Sequence, residues 1–257
     1  MIGKRHFTLC SFSVFALIIL FSLSLHAHIN IERIAKFRLE QEPYEWAMVD
    51  ELFNPIEAAE IAASYPCDYY KTVKGYDGEK GYQYEVRLLI PMGEKKVAHA
   101  ETLSPIWLQL AQDLLSDKYR MAMSELTGID LSSAPLEVNV FHYGQGDWLG
   151  PHIDLKDKIV THVLYFNSEW DPRDGGYLAI LGSKNIHDAV FVIRPIIGNS
   201  SVLVRSNKSW HAVMPISEHC KTSRKSMTVT FYRPNSISTM WPPGDPLPLH
   251  DYRNEKN

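Results

Sequence analysis

Residues 136–154 read LEVNVFHYGQGDWLGPHID, and two features of this stretch decide the fold. Leu136–Tyr143 is short and rich in β-branched and aromatic residues, which predicts a strand. Gly144-Gln145-Gly146 is a turn signal. The stretch closes on His152-Ile153-Asp154. In an extended chain residues i and i+2 point to the same side. His152 and Asp154 can therefore ligate one ion if the segment is extended. Two histidines and one carboxylate are the facial set that holds a mononuclear non-haem iron(II) and leaves its other face open. His211 is the second histidine, and it has to arrive on another strand folded over the first.

Working outward, the pattern stays strand-like. Ile159–Asn167, Tyr177–Leu181, Ala189–Arg194, Ser201–Arg205 and Ser226–Arg233 are short and rich in β-branched or aromatic residues. Asp174-Gly175-Gly176, Gly182-Ser183 and Gly198-Asn199 punctuate them. Upstream, Asn54-Pro55 opens a helix over Ile56–Ser64, with Asn as N-cap and Pro at the first helical position, and Pro66 stops it. Residues 68–90 read as loop and hairpin leading to a strand at Tyr84–Ile90. A long helical region is expected from about Leu103 to Leu126, ended by Thr127-Gly128. Helices followed by many short strands predict an α+β fold: N-terminal support helices on a distorted double-stranded β-helix, or jelly roll. The expected organisation is a signal peptide or membrane anchor at 1–30, a connector at 31–42, helical support at 43–130, the core at 131–234, and a Pro-rich tail at 235–257. That tail reads as an irregular wrap or a loose end.

The chain has 257 residues, 45% of them hydrophobic, which suits one globular domain with an N-terminal extension. A net charge of −4 without a basic block excludes a strong phosphate footprint, so no nucleic-acid partner is expected. The three cysteines, Cys10, Cys67 and Cys220, have no CxxC spacing, and a single Cys67–Cys220 bridge is left open. Lys4 and Arg5 precede an uncharged run from Phe7 to Leu25, which resembles a secretory signal. It is also close to the ~20 residues that span a bilayer. Membrane contact is expected through this segment alone, with a secretory-pathway, periplasmic or anchored location. An upstream start-site artefact, with a cytoplasmic location, is the alternative. The oligomeric state is not legible.

Further residues sharpen the chemistry. Arg224-Lys225-Ser226 opens the last strand, and an arginine and a hydroxyl at i, i+2 share a face. Such a pair can bind the far carboxylate of a dicarboxylic acid, because the guanidinium fork matches a carboxylate. Tyr143, Tyr165 and the Trp170–Leu178 hairpin complete a series. At Tyr143-x8-His152-x-Asp154, Leu164-Tyr165-Phe166-Asn167, Gly175-Gly176-Tyr177-Leu178, Ser209-Trp210-His211 and Arg224-x-Ser226, the chain resembles the 2-oxoglutarate- and Fe(II)-dependent dioxygenase superfamily. It looks most like the prolyl-4-hydroxylase-like branch. The resemblance covers about residues 136–234.

What that resemblance implies is specific. His152, Asp154 and His211 fall on the iron ligands, and Arg224 falls on the residue that binds the C5 carboxylate of 2-oxoglutarate. Lys221 is the alternative for that role. Tyr143 and Tyr165 fall on tyrosines that hold the cosubstrate in several members. The implied cofactors are Fe(II), 2-oxoglutarate and O2, with ascorbate as a candidate reductant. The implied reaction hydroxylates an unactivated C–H bond of a small-molecule or peptidyl substrate and releases succinate and CO2. The carboxylate of Asp154 argues against halogenation, which takes a small residue there.

Plainer readings stand beside these. Tyrosines on strands commonly fill a core, and Ser226 can be a simple strand hydroxyl. Arg205 suits an ion pair and Trp210 suits packing. His142, His162, His187 and His219 are not expected as ligands, His162 reading as a core histidine. Asn139 shares a face with Phe141 and Tyr143, and so can enter the pocket. Tyr84 and Arg87 are candidate substrate contacts. The rival functions are a non-catalytic or differently metallated cupin-like binding protein, and a zinc isomerase or hydrolase that needs no Arg224.

Overall fold

The computed structural model describes residues 29–77, 80–244 and 249–252. The apolar run at Phe7–Leu25 lies outside the described residues. Among those described, no helix is long and apolar enough to cross a membrane.

The strands in chain order are β1 (Trp46–Val49), β2 (Tyr70–Tyr76), β3 (Gly81–Ile90), β4 (Leu136–Tyr143), β5 (Trp148–His152), β6 (Lys158–Tyr165), β7 (Leu178–Leu181), β8 (Ala189–Ile193), β9 (Ser200–Val204), β10 (His211–Val213) and β11 (Arg224–Tyr232). The helices are α1 (Ile31–Lys36), α2 (Pro55–Ala63), α3 (Pro105–Leu115) and α4 (Asp117–Thr127). All these strand pairs are antiparallel. One path of neighbours runs β1-β9-β6-β11-β4-β3-β5-β10-β7-β8, with β2 added to β3. The path folds over at β3. Its second half, Glu85–Ile90, pairs with β4, while Tyr82 and Gln83 pair with β5. The large sheet containing β4, β11 and β6 is thereby joined to the small sheet β5-β10-β7-β8, giving the expected jelly roll.

Alternation along the central strands sorts two interiors. Leu136, Val138 and Val140 of β4, with Met227, Val229 and Phe231 of β11, join one core with Trp107, Leu110, Met123 and Leu126 of the helices. Each fully buried aliphatic side chain there contributes about 1.5–3 kcal/mol. Phe141 and Tyr143 of β4 with Val163 and Tyr165 of β6 face the small sheet and join a second cluster. Every residue of β4 is buried. A strand buried on both faces is usually continuously apolar, yet β4 carries Glu137 and Asn139 on its inner face. These polar positions belong to a cavity between the sheets.

The helical region departs from expectation in three places. The helical region expected over Leu103–Leu126 is divided at Ser116, whose extended backbone ends α3 and whose side chain accepts the Tyr119 N–H to cap α4. A serine satisfies free amides at a helix start, so the break needs neither Gly nor Pro. Residues 31–42, expected as a connector, carry α1, capped by Asn30, with Ile34 buried beside α4. The support region also supplies three strands, and β2 with β3 makes a longer hairpin than Tyr84–Ile90 suggested. Cys67 is exposed and Cys220 buried, and both are free thiols, so the bridge left open does not form.

Candidate active site

His152 ends β5 and His211 begins β10, and the two are direct register partners. Cross-strand partners put side chains on one face within reach of each other, and the imidazole centroids stand 4.2 Å apart. Asp154 is two residues past the end of β5 and not within a strand. A loop, not strand alternation, therefore brings it to the same face. One ligand atom from each of His152, Asp154 and His211 lies within 4.8 Å of the others, and all three residues are buried.

Backbone carbonyls fix the histidine tautomers. His152 Nδ1 donates to Gly150 O and His211 Nδ1 donates to Ser209 O, each at 2.9 Å. A carbonyl only accepts, so each Nδ1 holds the proton and each Nε2 presents a lone pair. Burial, and for His152 also the neighbouring His211, lowers both imidazoles below the ordinary histidine value. They are neutral at pH 7, the state that metal ligation needs. Burial is the largest influence on Asp154 and opposes its charge, but Lys158, His211 and His152 together outweigh it, and the carboxyl is held below its usual range. Lys158 Nζ lies 2.7 Å from Oδ1, and Thr161 Oγ1 donates to Oδ2 at 2.9 Å. The donor set, tautomers and charge states fit a divalent ion held by two histidines and one carboxylate.

Arg224 opens β11 in register with Tyr143, and Ser226 pairs with both Phe141 and Tyr165. The arginine is 1% exposed. Its Nε donates to Gly176 O at 2.7 Å and its Nη1 to Ser226 Oγ at 2.6 Å. The cation lies over the rings of Tyr143 and Tyr165, 5.0 and 5.3 Å from their centroids. Nη2 is buried with no partner among the described residues. An unsatisfied charged donor in a buried site is costly, and its geometry suits an incoming carboxylate. Burial pushes the Tyr165 phenol up to about 12 despite Arg224, and its hydroxyl shares a 2.9 Å hydrogen bond with Ser201.

The Gly175-Gly176 hairpin makes this arrangement possible. Both glycines have positive φ, 69° and 64°. A Cβ on Gly175 would meet the Pro215 carbonyl oxygen at 2.2 Å, and one on Gly176 would meet Ile216 at 2.3 Å and Arg224 Cδ at 3.4 Å. Segment 215–223 thus docks on this hairpin, through the Gly175–Ile216 bridge.

The triad and Arg224 line one cavity of about 390 Å³. Its wall includes Tyr82 and Tyr84 of β3 and Thr239 and Met240 of the tail. The tail is held over the site by Trp241, whose Nε1 donates to Asn139 Oδ1 at 2.6 Å. Its described part is a wrap, not a loose end.

Of the residues singled out in the sequence, His152, Asp154, His211, Arg224, Ser226, Tyr143, Tyr84 and Asn139 line this cavity. Tyr165 sits behind it under Arg224. Arg87 does not reach it: the fully buried guanidinium contacts Asp68, Leu88 O and Thr102. Lys221 is exposed, while Arg224 holds the cavity position. Arg205 donates to Asp154 O, a structural contact. His142 and His162 face the helical side, where His142 bonds Ser223 and His162 bonds Tyr119. Sequence reasoning missed Lys158, Thr161 and Glu137. The signal for Glu137 was present: Glu137 and Asn139 alternate with valines in a strand flanked by apolar residues.

Comparison with known proteins agrees with this architecture. Residues 138–232 match the family model of the 2OG-Fe(II) oxygenase superfamily. No curated protein sequence matches the chain. Among solved structures, a prolyl-4-hydroxylase from Pseudomonas putida is similar at 22% identity and a TM-score of 0.50, covering 73% of this chain and 92% of that one. A 2OG-Fe(II) oxygenase family oxidoreductase from Burkholderia pseudomallei is similar at 17% identity and a TM-score of 0.51, covering 73% and 85%. At these identities the structures show a shared fold.

Proposed function

We propose that this chain, whose residues 138–232 match the family model of the 2OG-Fe(II) oxygenase superfamily, hydroxylates an unactivated C–H bond with Fe(II), 2-oxoglutarate and O2. One observation carries the reading. A buried set of two histidines and a carboxylate, and a buried arginine with an unfilled donor, open into the same cavity.

The roles follow from the contacts. His152 and His211 offer Nε2, and Asp154 offers a carboxylate oxygen oriented by Lys158 and Thr161. The bound iron supplies the activation of O2 coupled to cosubstrate decarboxylation. Arg224, anchored by Gly176 and Ser226, receives the far carboxylate of 2-oxoglutarate through Nη2. Tyr143 and Tyr165 fix the guanidinium plane from their ring faces. The tail and the hairpin β2–β3 supply part of the cavity wall, through Thr239, Met240, Val73, Tyr82 and Tyr84. Substrate enters the same space, so its reacting carbon is held beside the triad.

The test is an anaerobic titration of the iron-loaded protein with 2-oxoglutarate, followed by succinate release in air. A weak visible charge-transfer band that is lost in His152→Ala, with succinate formed only with Fe(II), is expected. Absence of both would refute the proposal, and iron-independent turnover would favour the zinc hydrolase class.

A further inference from the structure

Glu137 is 1% exposed and lines the cavity, although it takes no part in the iron or cosubstrate positions. Its Oε1 accepts from Asn139 Nδ2 at 2.8 Å, and Asn139 Oδ1 in turn accepts from Trp241 Nε1. Its Oε2 is buried and has no hydrogen-bond partner among the described residues. Lys158, a cation of the same cavity, is engaged by Asp154. A buried carboxylate oxygen without a donor is destabilising by kilocalories, and such groups are normally paired. The Trp241–Asn139–Glu137 chain fixes one oxygen and so leaves the other in a set direction.

The position relative to the metal follows from register. Glu137 on β4 pairs with Thr230 on β11, which pairs with Thr161 on β6. Neighbouring strands are about 4.8 Å apart, so Glu137 stands roughly 10 Å along the cavity floor from Thr161. Thr161 is the residue that holds Asp154 Oδ2. The floor therefore has the metal set at one end and an unpartnered carboxylate at the other.

We infer that Glu137 is a specificity-determining residue that pairs with a cationic nitrogen of the substrate, an ammonium or guanidinium group. It lies several bonds, up to about 10 Å, from the carbon that is oxidised. This rests on the cavity being the site of oxidation. Met240 lines the cavity, and Trp241 beside it bonds Asn139, so apolar side chains stand near this carboxylate.

The test uses the full chain labelled with ¹⁵N-tryptophan, and reads the Trp241 indole signal, assigned through Trp241→Phe. The probes are n-pentylammonium and n-pentylguanidinium against 1-pentanol. A blocked lysine peptide and free L-lysine separate a peptidyl from a small-molecule source. The cationic probes should shift the signal with an affinity at least about tenfold above the neutral one, a difference of about 1.4 kcal/mol. Glu137→Gln should abolish that preference. Equal binding, no binding of the cations at millimolar concentration, or a preference that survives Glu137→Gln would overturn the inference. If Glu137→Gln fails to fold, Glu137→Met takes its place with the same outcomes, and equal binding of cation and alcohol by the wild type overturns the inference without any variant. The measurement needs no turnover, so cation binding without succinate release would sink the oxygenase reading alone, and the reverse result would sink this one alone.

Discussion

Replacing Arg224 separates the cosubstrate position from everything else in the cavity. In the wild type, two of the guanidinium nitrogens are held by Gly176 O and Ser226 Oγ, which leaves Nη2 for a ligand. Removing one partner of a buried, hydrogen-bonded charge pair costs about 2–5 kcal/mol. Arg224→Ala should therefore raise the Kd of 2-oxoglutarate about 30- to 4,000-fold. Arg224→Lys keeps the charge but has a single nitrogen, which cannot bond Gly176 O and Ser226 and still present a fork. It should fall between the two. The assay is anaerobic titration of the iron-loaded protein, with the visible band as readout and circular dichroism as the check on folding. A second ligand makes the result specific. 2-Oxopentanoate keeps the chelating end and lacks the far carboxylate, so it should bind wild type and Arg224→Ala within about threefold. A Kd for 2-oxoglutarate that is unchanged in Arg224→Ala would refute the role of Nη2. An equal loss for both ligands would show that the substitution damages the site as a whole.

Three other outcomes are expected. Burial lowers His142 and His162 to about 3 from 6.5. Their neutral state supports full stability above pH 6.5, and stability is lost as pH falls from 6.5 toward 3. Together they should cost about 2.5 kcal/mol between pH 7 and 5.5, and His162→Gln should halve that share in urea unfolding of the metal-free protein; an unchanged slope would contradict it. Gly175→Ala places a Cβ 2.2 Å from the Pro215 carbonyl in a positive-φ position, so it should destabilise the fold by about 2–4 kcal/mol, and a loss below about 1 kcal/mol would show that segment 215–223 yields easily. Thr161→Val removes the hydroxyl on Asp154 Oδ2 and keeps the shape; Co(II) affinity should drop about 10- to 100-fold, and equal affinity would mean that Lys158 alone orients the carboxylate.

Much of this site was legible because its parts are local. The alternation of β4, β6 and β11 and the turn signals between them place Tyr143, Tyr165 and Arg224 from sequence alone. The glycine pair at 175–176 was visible as a turn, though its reason was not: the neighbour that forbids a Cβ is Pro215, distant in sequence. Strands β5 and β10 were required by the triad but carry no strand pattern of their own. Gly150-Pro151 interrupts the first, and the second is only three residues long, so neither has enough period to detect. The Ser116 break was hidden because the apolar spacing of α3 runs up to Leu114-Leu115 without a Gly or Pro. Glu137 was passed over although it alternates onto the same face as Asn139, which the sequence already turned toward the pocket.

Strand β3 has a mechanical consequence. Near its start, Tyr82 and Gln83 are hydrogen-bonded to the strand that ends in His152, and its later residues are anchored to β4. Tyr82 and Tyr84 also form part of the cavity wall. The strand thus bridges the two sheets, held by β2 along one edge and by β4 and then β5 along the other. Tyr82 is joined to β5 through that ladder with no intervening loop. The cavity wall and the strand that carries His152 are therefore parts of one backbone ladder.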